Sequence, residues 1–552
     1  MALQTMVPAS DRETTATYAR MEEKILERDQ VGTSEALYDL IRARRPLTEI
    51  LTETVRIHAP YTFMPYHQRL DDGFARFVNN DHCLLSARAS LRLPHEMPEE
   101  LRYLPMAQTA WYVPTGLDPW NQLLGKAPGH YTRRKYQEGE VYEEPTIHWD
   151  DQEPMYLDGG TYDEKLNHWL TLVMRGEVVD SYRIFLGLLE DEQNRPKALA
   201  QLVFAGLIDV QDRVLYNRSY TTGHKSYRAR ATVELGEAVG WDNAHSFVYA
   251  GVPDIAVGPR WYSAYEMACQ VSLTELAEAV PESTLSSTGA LLHEERLLAN
   301  KTPLTEPEVD GLIEALIRQP EPAFIRALTS LLLAGKDPVQ IIETMQVASA
   351  RLVLETNGPR NYSMPQHTFE YMNTLAWFFR TFNHKHRLKL LYVGGSFINQ
   401  SAMWLKNTPG NGRQDTTPPG DAHALSSSQL LHNVDGAITE LDPPQSVAWM
   451  RAYLDAGHDR SQLVQTLAVA AAKMGNDPHN QELGLAFIDD YGFSGSKYRD
   501  ELLLAGAQHT AGHMKYGDVS ESYRRFTTAF DIASNGENMQ GIADPEDVLL
   551  DD

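Results

Sequence analysis

Apolar residues recur at steps of three and four along most of this chain, as in Phe324, Leu328, Leu331 and Leu332, and again in Leu463, Leu467 and Ala471. That spacing lines one face of an α-helix. Long runs of alternating apolar and polar residues, which mark half-buried strands, are scarce. The expectation is an all-α protein. Helical patterning breaks most clearly over 407–421, where Pro409, Gly410, Gly412, Pro418, Pro419 and Gly420 lie in a polar setting and predict a mobile linker or surface loop. From Gly536 to Asp552 six acidic residues occur without a Lys or Arg, which predicts a disordered or loosely docked acidic tail.

Internal repetition organises the rest. His224, His367 and His479 open segments that align without gaps, and a glycine lies 27 positions after each: Gly251, Gly394 and Gly506. The interval holds a helix of about four turns, a turn, and a second helix that ends or makes a close contact at the glycine. Helical-hairpin repeats are therefore expected, stacked into a solenoid or closed helical array. Met64-Pro65-Tyr66-His67 matches Met364-Pro365-Gln366-His367, which makes His67 the candidate histidine of a degenerate first copy. Proline is tolerated in the first turn of a helix, so each histidine is placed in that first turn. Upstream, Gly335 with Asp337 and Gly457 with Asp459 read as a helix stop followed by an N-cap, and Gly206 with Asp209 echoes them. The histidine helix is then the third or so of its unit.

These signals divide the chain into an N-terminal extension (1–33), a first helical unit with an aromatic loop (34–150), a second (151–275) and third unit (276–406), a linker (407–427), a fourth unit (428–517) and the acidic tail (518–552). The loop interleaves Trp111, Tyr112, Trp120, Tyr131, Tyr136, Tyr142 and Trp149 with prolines and glycines. It reads either as a lid over a cavity or as a long structural connection. Arg133, Arg134 and Lys135 within it could steer an anionic substrate.

Composition narrows the possibilities. With 552 residues and 42% hydrophobic content the chain can build a large core, and a formal charge of −26 disfavours sequence-independent nucleic-acid binding. Two cysteines, Cys83 and Cys269, make neither a disulfide framework nor a thiolate zinc site. No basic, then apolar, leader opens the chain, and no apolar run approaches the roughly 20 residues of a membrane span. A cytoplasmic protein without a membrane partner, and open to homo-oligomerisation, is expected. P-loop, dinucleotide-binding, C-x-x-C, H-E-x-x-H and G-x-S-x-G signatures are all missing.

The candidate chemistry lies in the repeated histidines. A curved array could bring His67, His224, His367 and His479 to one central cavity, with Glu370 and Glu482 each one turn after a histidine and on the same helix face. Imidazole plus carboxylate suits non-haem iron, manganese or catalytic zinc. The competing reading is that each histidine caps a helix or fills a hole. His58 and His82 flank His67 and belong to the candidate set, whereas structural use is expected for His245, His386, His509 and His513. Tyr249 and Tyr392, 25 positions after a repeat histidine, are candidates for catalytic support through hydrogen bonds to the ligands, or else for core packing.

The histidine-led helical pattern over 34–517 resembles the questin-oxidase-like proteins and the helical domains appended to Rieske iron–sulfur proteins, although Rieske ligands are missing here. The resemblance implies a redox enzyme acting on a small organic substrate. The resulting expectation is an oxidase or oxygenase using iron or another divalent transition metal. Three other readings stay open: a non-catalytic helical scaffold, a protein holding haem or an organic cofactor, and a metal-free cyclase or isomerase with a histidine acid–base.

Overall fold

The computed structural model describes residues 12–59, 82–116, 151–208, 223–256, 294–356, 364–412, 414–420, 422–474, 478–512 and 519–533, and these are helical apart from short connections. The one β contact among them is an isolated bridge between Thr302 and Lys336. The first unit comprises α1 (Arg12–Leu26), α2 (Gln30–Arg42), α3 (Leu47–His58), α4 (Cys83–Arg92) and α5 (Leu104–Gly116). The second comprises α6 (Tyr162–Arg175), α7 (Val178–Leu189), α8 (Arg195–Leu207), α9 (His224–Val239) and α10 (His245–Gly251). In the third are α11 (Glu306–Ile317), α12 (Pro322–Leu333), α13 (Pro338–Leu354), α14 (Met364–Thr381) and α15 (Lys389–Asn407). The fourth holds α16 (Ser427–Thr439), α17 (Pro443–Asp455), α18 (Arg460–Lys473), α19 (His479–Phe493) and α20 (Asp500–Gly512), and α21 (Glu521–Ala529) follows. The histidine helix is thus the fourth of its unit, not the third.

Local chemistry repeats with the architecture. The first helices of units two to four each open with a capping box, in which a Thr or Ser and the Glu or Gln three residues on satisfy each other's backbone N–H groups. The reciprocal bonds run from Thr161 N to Glu164 (2.7 Å), Thr305 N to Glu308 (2.7 Å) and Ser426 N to Gln429 (2.9 Å). The predicted Gly and Asp punctuation holds at two sites. Gly335 and Gly457 take positive φ, and Asp337 and Asp459 cap α13 and α18. Gly206 does something different: it lies inside α8, where a Cβ would come within 2.8 Å of the backbone of Ser226. Backbone cannot rotate away, so Gly206→Ala is expected to cost about 1–3 kcal/mol, measurable by urea unfolding, and to push on the first turn of α9.

Four inner helices form a closed ring. α4 packs on α9 and on α19, and α14 packs on the same two helices. Around them, third and fifth helices of neighbouring units meet: α10 on α3, α20 on α13, and α5 on α18. Gln481 of α19 reaches Ser86 (2.5 Å) on α4 and Thr109 (3.1 Å) on α5, tying the fourth unit to the first. α21 then docks on α5, and its Phe526 and Phe530 pack edge-on to Tyr38 of α2. The acidic segment therefore begins as a docked helix.

The spacing of 27 is a packing contact. A Cβ on Gly251 would strike Thr232, eight positions after the repeat histidine, while on Gly394 and Gly506 it would come within 3.3 Å of the equivalent Leu375 and Phe487 and closer still, at 2.9 and 2.7 Å, to Met372 and Leu467. In the first unit the same two positions counted from His82 are Ser90 and Thr109, whose hydroxyls are hydrogen bonded at 2.8 Å. His82, at the start of α4, is thus the register equivalent of the other three. His67 lies outside the described residues, as do His513, Cys269 and most of the aromatic loop. Trp111 and Tyr112 belong to α5, not to a loop, and α20 runs unbroken through Gly506 to Gly512. The linker is anchored where it passes α13, by Gly412 N to Glu355 O (2.9 Å) and Gln414 to Thr356 O (3.2 Å).

Candidate metal centre

Each inner helix begins within three residues of its histidine, for a local reason. Gly223 takes φ 92° and lets α9 start at His224, Pro478 precedes His479, and Pro365 occupies the first turn of α14 ahead of His367. His82 is the N-cap residue of α4. All four helix starts meet, because the ring closes at that end, and all four imidazoles are buried, with exposures of 0–5%.

Their rings form a quadrilateral. Centroids are 5.1 Å apart for His82 and His224, 4.8 Å for His224 and His367, 6.1 Å for His367 and His479, and 4.2 Å for His479 and His82. A metal–nitrogen bond of about 2.1 Å puts an imidazole centroid a little over ~3 Å from the ion, so adjacent ligand rings stand roughly 4.5–5.3 Å apart. The observed ring spacings bracket that range. His82, His224 and His479 each offer a nitrogen, and these atoms lie within 4.8 Å of one another, close enough that they could hold a metal ion. Of the expected set, His224 and His479 therefore converge and His82 completes the triad; His367 is a ring neighbour of both but is not among the clustered ligand atoms.

The surrounding contacts fix these rings. His82 Nδ1 donates to Glu482 Oε2 at 2.8 Å, which leaves Nε2 as its ligand atom. Glu482 accordingly acts here through His82. The His82 backbone N–H donates to the Tyr112 hydroxyl (3.0 Å), the Tyr227 hydroxyl donates to His367 O (2.5 Å), and His509 Nε2 donates to His479 O (3.3 Å). Tyr112 and His509 stand at the same repeat position, 30 residues after their histidine. Burial, followed by the neighbouring His367, holds His224 well below the usual imidazole range, so it is the neutral ligand form at ordinary pH. Glu370 is also buried, and burial together with Glu482 pushes its carboxyl up to about 8. Its Oε2 has no hydrogen-bond partner among the described residues.

Two turns further along the inner helices, roughly 9 Å at 1.5 Å per residue, the interior turns ionic. Arg88 pairs with Glu234 (2.6 Å) and Asp489 (3.1 Å), and Arg230 pairs with Glu234 (3.0 Å), Asp489 (3.0 Å) and Asn373. Arg230 and Glu234 share α9 at i and i+4, whereas Arg88 and Asp489 come from other repeats, which sequence periodicity had no means of bringing together.

Other candidates are engaged elsewhere. The Tyr249 hydroxyl donates to Arg56 O (3.1 Å), and that of Tyr392 pairs with Thr329 (3.0 Å). Of the two roles open to them, these bonds fit packing between helices. His58 is fully buried as the last residue of α3 and is not one of the three clustered ligands. His245 stacks edge-on with Tyr249, and His386 lies 3.9 Å from Glu294.

Because Glu482 sets the tautomer and aim of His82, Glu482→Gln is expected to weaken Co(II) or Zn(II) binding by about 10–100-fold while leaving the fold intact. Competition with a chromophoric chelator measures it, and an unchanged affinity would remove the assigned role. Among the described residues no helix is long and apolar enough to cross a membrane. In comparisons with known proteins, no family model, no curated protein and no solved structure matches this chain.

Proposed function

We propose that this chain is a metal-dependent oxidoreductase that binds non-haem iron through His82, His224 and His479, with His367 as a fourth ligand, and acts on a small organic substrate. The observation that carries the reading is the buried triad with ligand atoms inside 4.8 Å. An all-imidazole set with a neighbouring carboxylate suits iron better than the thiolate-rich sets of structural zinc. The resemblance to questin-oxidase-like proteins points the same way.

Bound iron would supply dioxygen activation. The chain's own residues do the rest. Glu482 keeps the proton of His82 on Nδ1, Tyr227 and His509 hold the backbone of His367 and His479, and burial raises the carboxyl of Glu370 near Glu482. The test is elemental analysis of the purified chain, followed by nitric oxide added to the Fe(II)-loaded protein. A ferrous–nitrosyl EPR signal is expected, since a catalytic site keeps a coordination position open. Stoichiometric metal without that signal would reduce the site to a structural one.

A further inference from the structure

A cleft of about 860 Å³ lies between the third and fourth units, lined by α11, α13, α17 and α20 and by the linker at Gln414 to Pro418. That volume is in the range of sites that enclose small organic molecules, roughly 300–1,000 Å³. None of the four clustered histidines lines it. Ile313, Ile317, Leu354, Val447 and Leu504 give it an apolar wall.

Its buried charges are matched with one exception. Arg318 pairs with Glu355 (3.1 Å), and Arg351 holds both oxygens of Glu501 through Nε and Nη2, at 2.7 and 2.8 Å. Asp310, Glu314 and Asp415 are exposed, where solvent screens them. Asp310 also accepts from the Tyr498 hydroxyl (2.7 Å), and Asp415 from the Thr417 N–H (3.0 Å). The exception is Arg451. It is half-buried, and no carboxylate among the described residues pairs with it. Its Nε is shut off from solvent without a hydrogen bond, and Nη2 reaches only the Thr416 hydroxyl, at 3.4 Å. Nε and Nη2 form the edge of a guanidinium that takes a carboxylate through two parallel bonds, as Arg351 does in this same cleft. A buried N–H with no acceptor is costly, so a pair of oxygens at this edge supplies what the chain itself does not.

We propose that this cleft binds an organic carboxylate, whose two oxygens take the Nε and Nη2 hydrogens of Arg451 in place of Thr416 and whose apolar body lies against Ile313, Ile317, Leu354, Val447 and Leu504. The site is separate from the histidine cluster and does not depend on the metal. Residues 415–418 make no other hydrogen bond to the helices among the described residues, so the linker yields there without unseating its anchors at Gly412 and Gln414.

Calorimetric titration of the full-length chain tests it. The probes are 3-phenylpropionate, indole-3-acetate and N-acetylleucine, each beside its primary amide, with inorganic phosphate as an anion that lacks the apolar body. Saturable binding of at least one acid is expected, at least about tenfold tighter than its amide and than phosphate. Arg451→Gln should bring that acid down to the affinity of its amide, and Thr416→Ala, which removes the competing hydroxyl, should tighten it. Circular dichroism checks that both variants keep their helices. Failure of all three acids to bind, equal affinity for acid and amide or for acid and phosphate, or undiminished acid binding by Arg451→Gln overturns the proposal. If Arg451→Gln does not fold, Thr416→Ala decides: tighter acid binding upholds the seat on Arg451, and weaker or unchanged binding overturns it.

Discussion

Replacing His479 by alanine is expected to lower Co(II) or Fe(II) affinity by more than about 100-fold, beyond the 10–100-fold typical of outer contacts to a ligand. His479 touches the other rings on two sides, at 4.2 Å from His82 and 6.1 Å from His367, so no neighbouring imidazole can take over its place. His82→Ala should do the same. The reading makes a second, sharper demand: Tyr392→Phe, which removes only a hydroxyl paired with Thr329, must leave metal binding unchanged within about twofold. Metal content by elemental analysis and affinity by chelator competition check all three. Stoichiometric binding that survives His479→Ala would end the metal proposal, and the histidines would then count as packing.

The largest stability effect is expected at Arg230→Ala, about 3–5 kcal/mol by urea unfolding, because Glu234 and Asp489 would remain buried with half their compensation gone. Burial raises the Glu234 carboxyl, but Arg230 and Arg88 outweigh it and hold it down to about 2. The sign of the pH dependence follows. A carboxyl depressed from its unfolded value of 4.5 contributes stability that is complete above that value and fades as pH falls toward about 2. The gap between wild type and Arg230→Ala should accordingly be widest at neutral pH and narrow in acid. Removing both partners, as Arg230→Leu with Glu234→Leu, should recover part of the loss, since an apolar pair leaves no buried charge behind. A single-variant loss under about 1 kcal/mol would mean that water reaches this layer and screens it.

The register of the fold was legible because it is written in short-range terms. The interval from histidine to glycine is one helical hairpin, and the close contact at Gly251, Gly394 and Gly506 demands the missing side chain wherever it recurs. The register of the first unit from His82 escaped detection because it solves that contact with a hydrogen bond between Ser90 and Thr109 instead of a glycine. A search for His82 by the polar pair at the equivalent positions would have found it. The Met-Pro-x-His match is a helix-start signal that placed the first copy at His67, which lies outside the described residues. Gly206 misled for a related reason: a glycine before an acidic residue reads as a helix stop, yet here it serves a close approach of backbones.

By itself, then, the sequence determined that the chain is helical, repeated, and built so that a histidine opens one helix of each unit, since hydrophobic period, capping residues and close-packed glycines act over a few turns. Which histidines become neighbours was decided only in three dimensions. Ring closure joins α4 to α19 across nearly four hundred residues and sets His82 against His479 and Glu482. That closure depends on the summed curvature of twenty helices, a quantity no local pattern encodes. The pairs of Arg88 with Glu234 and Asp489, and of Arg230 with Asp489, depend on it equally, because they join different repeats.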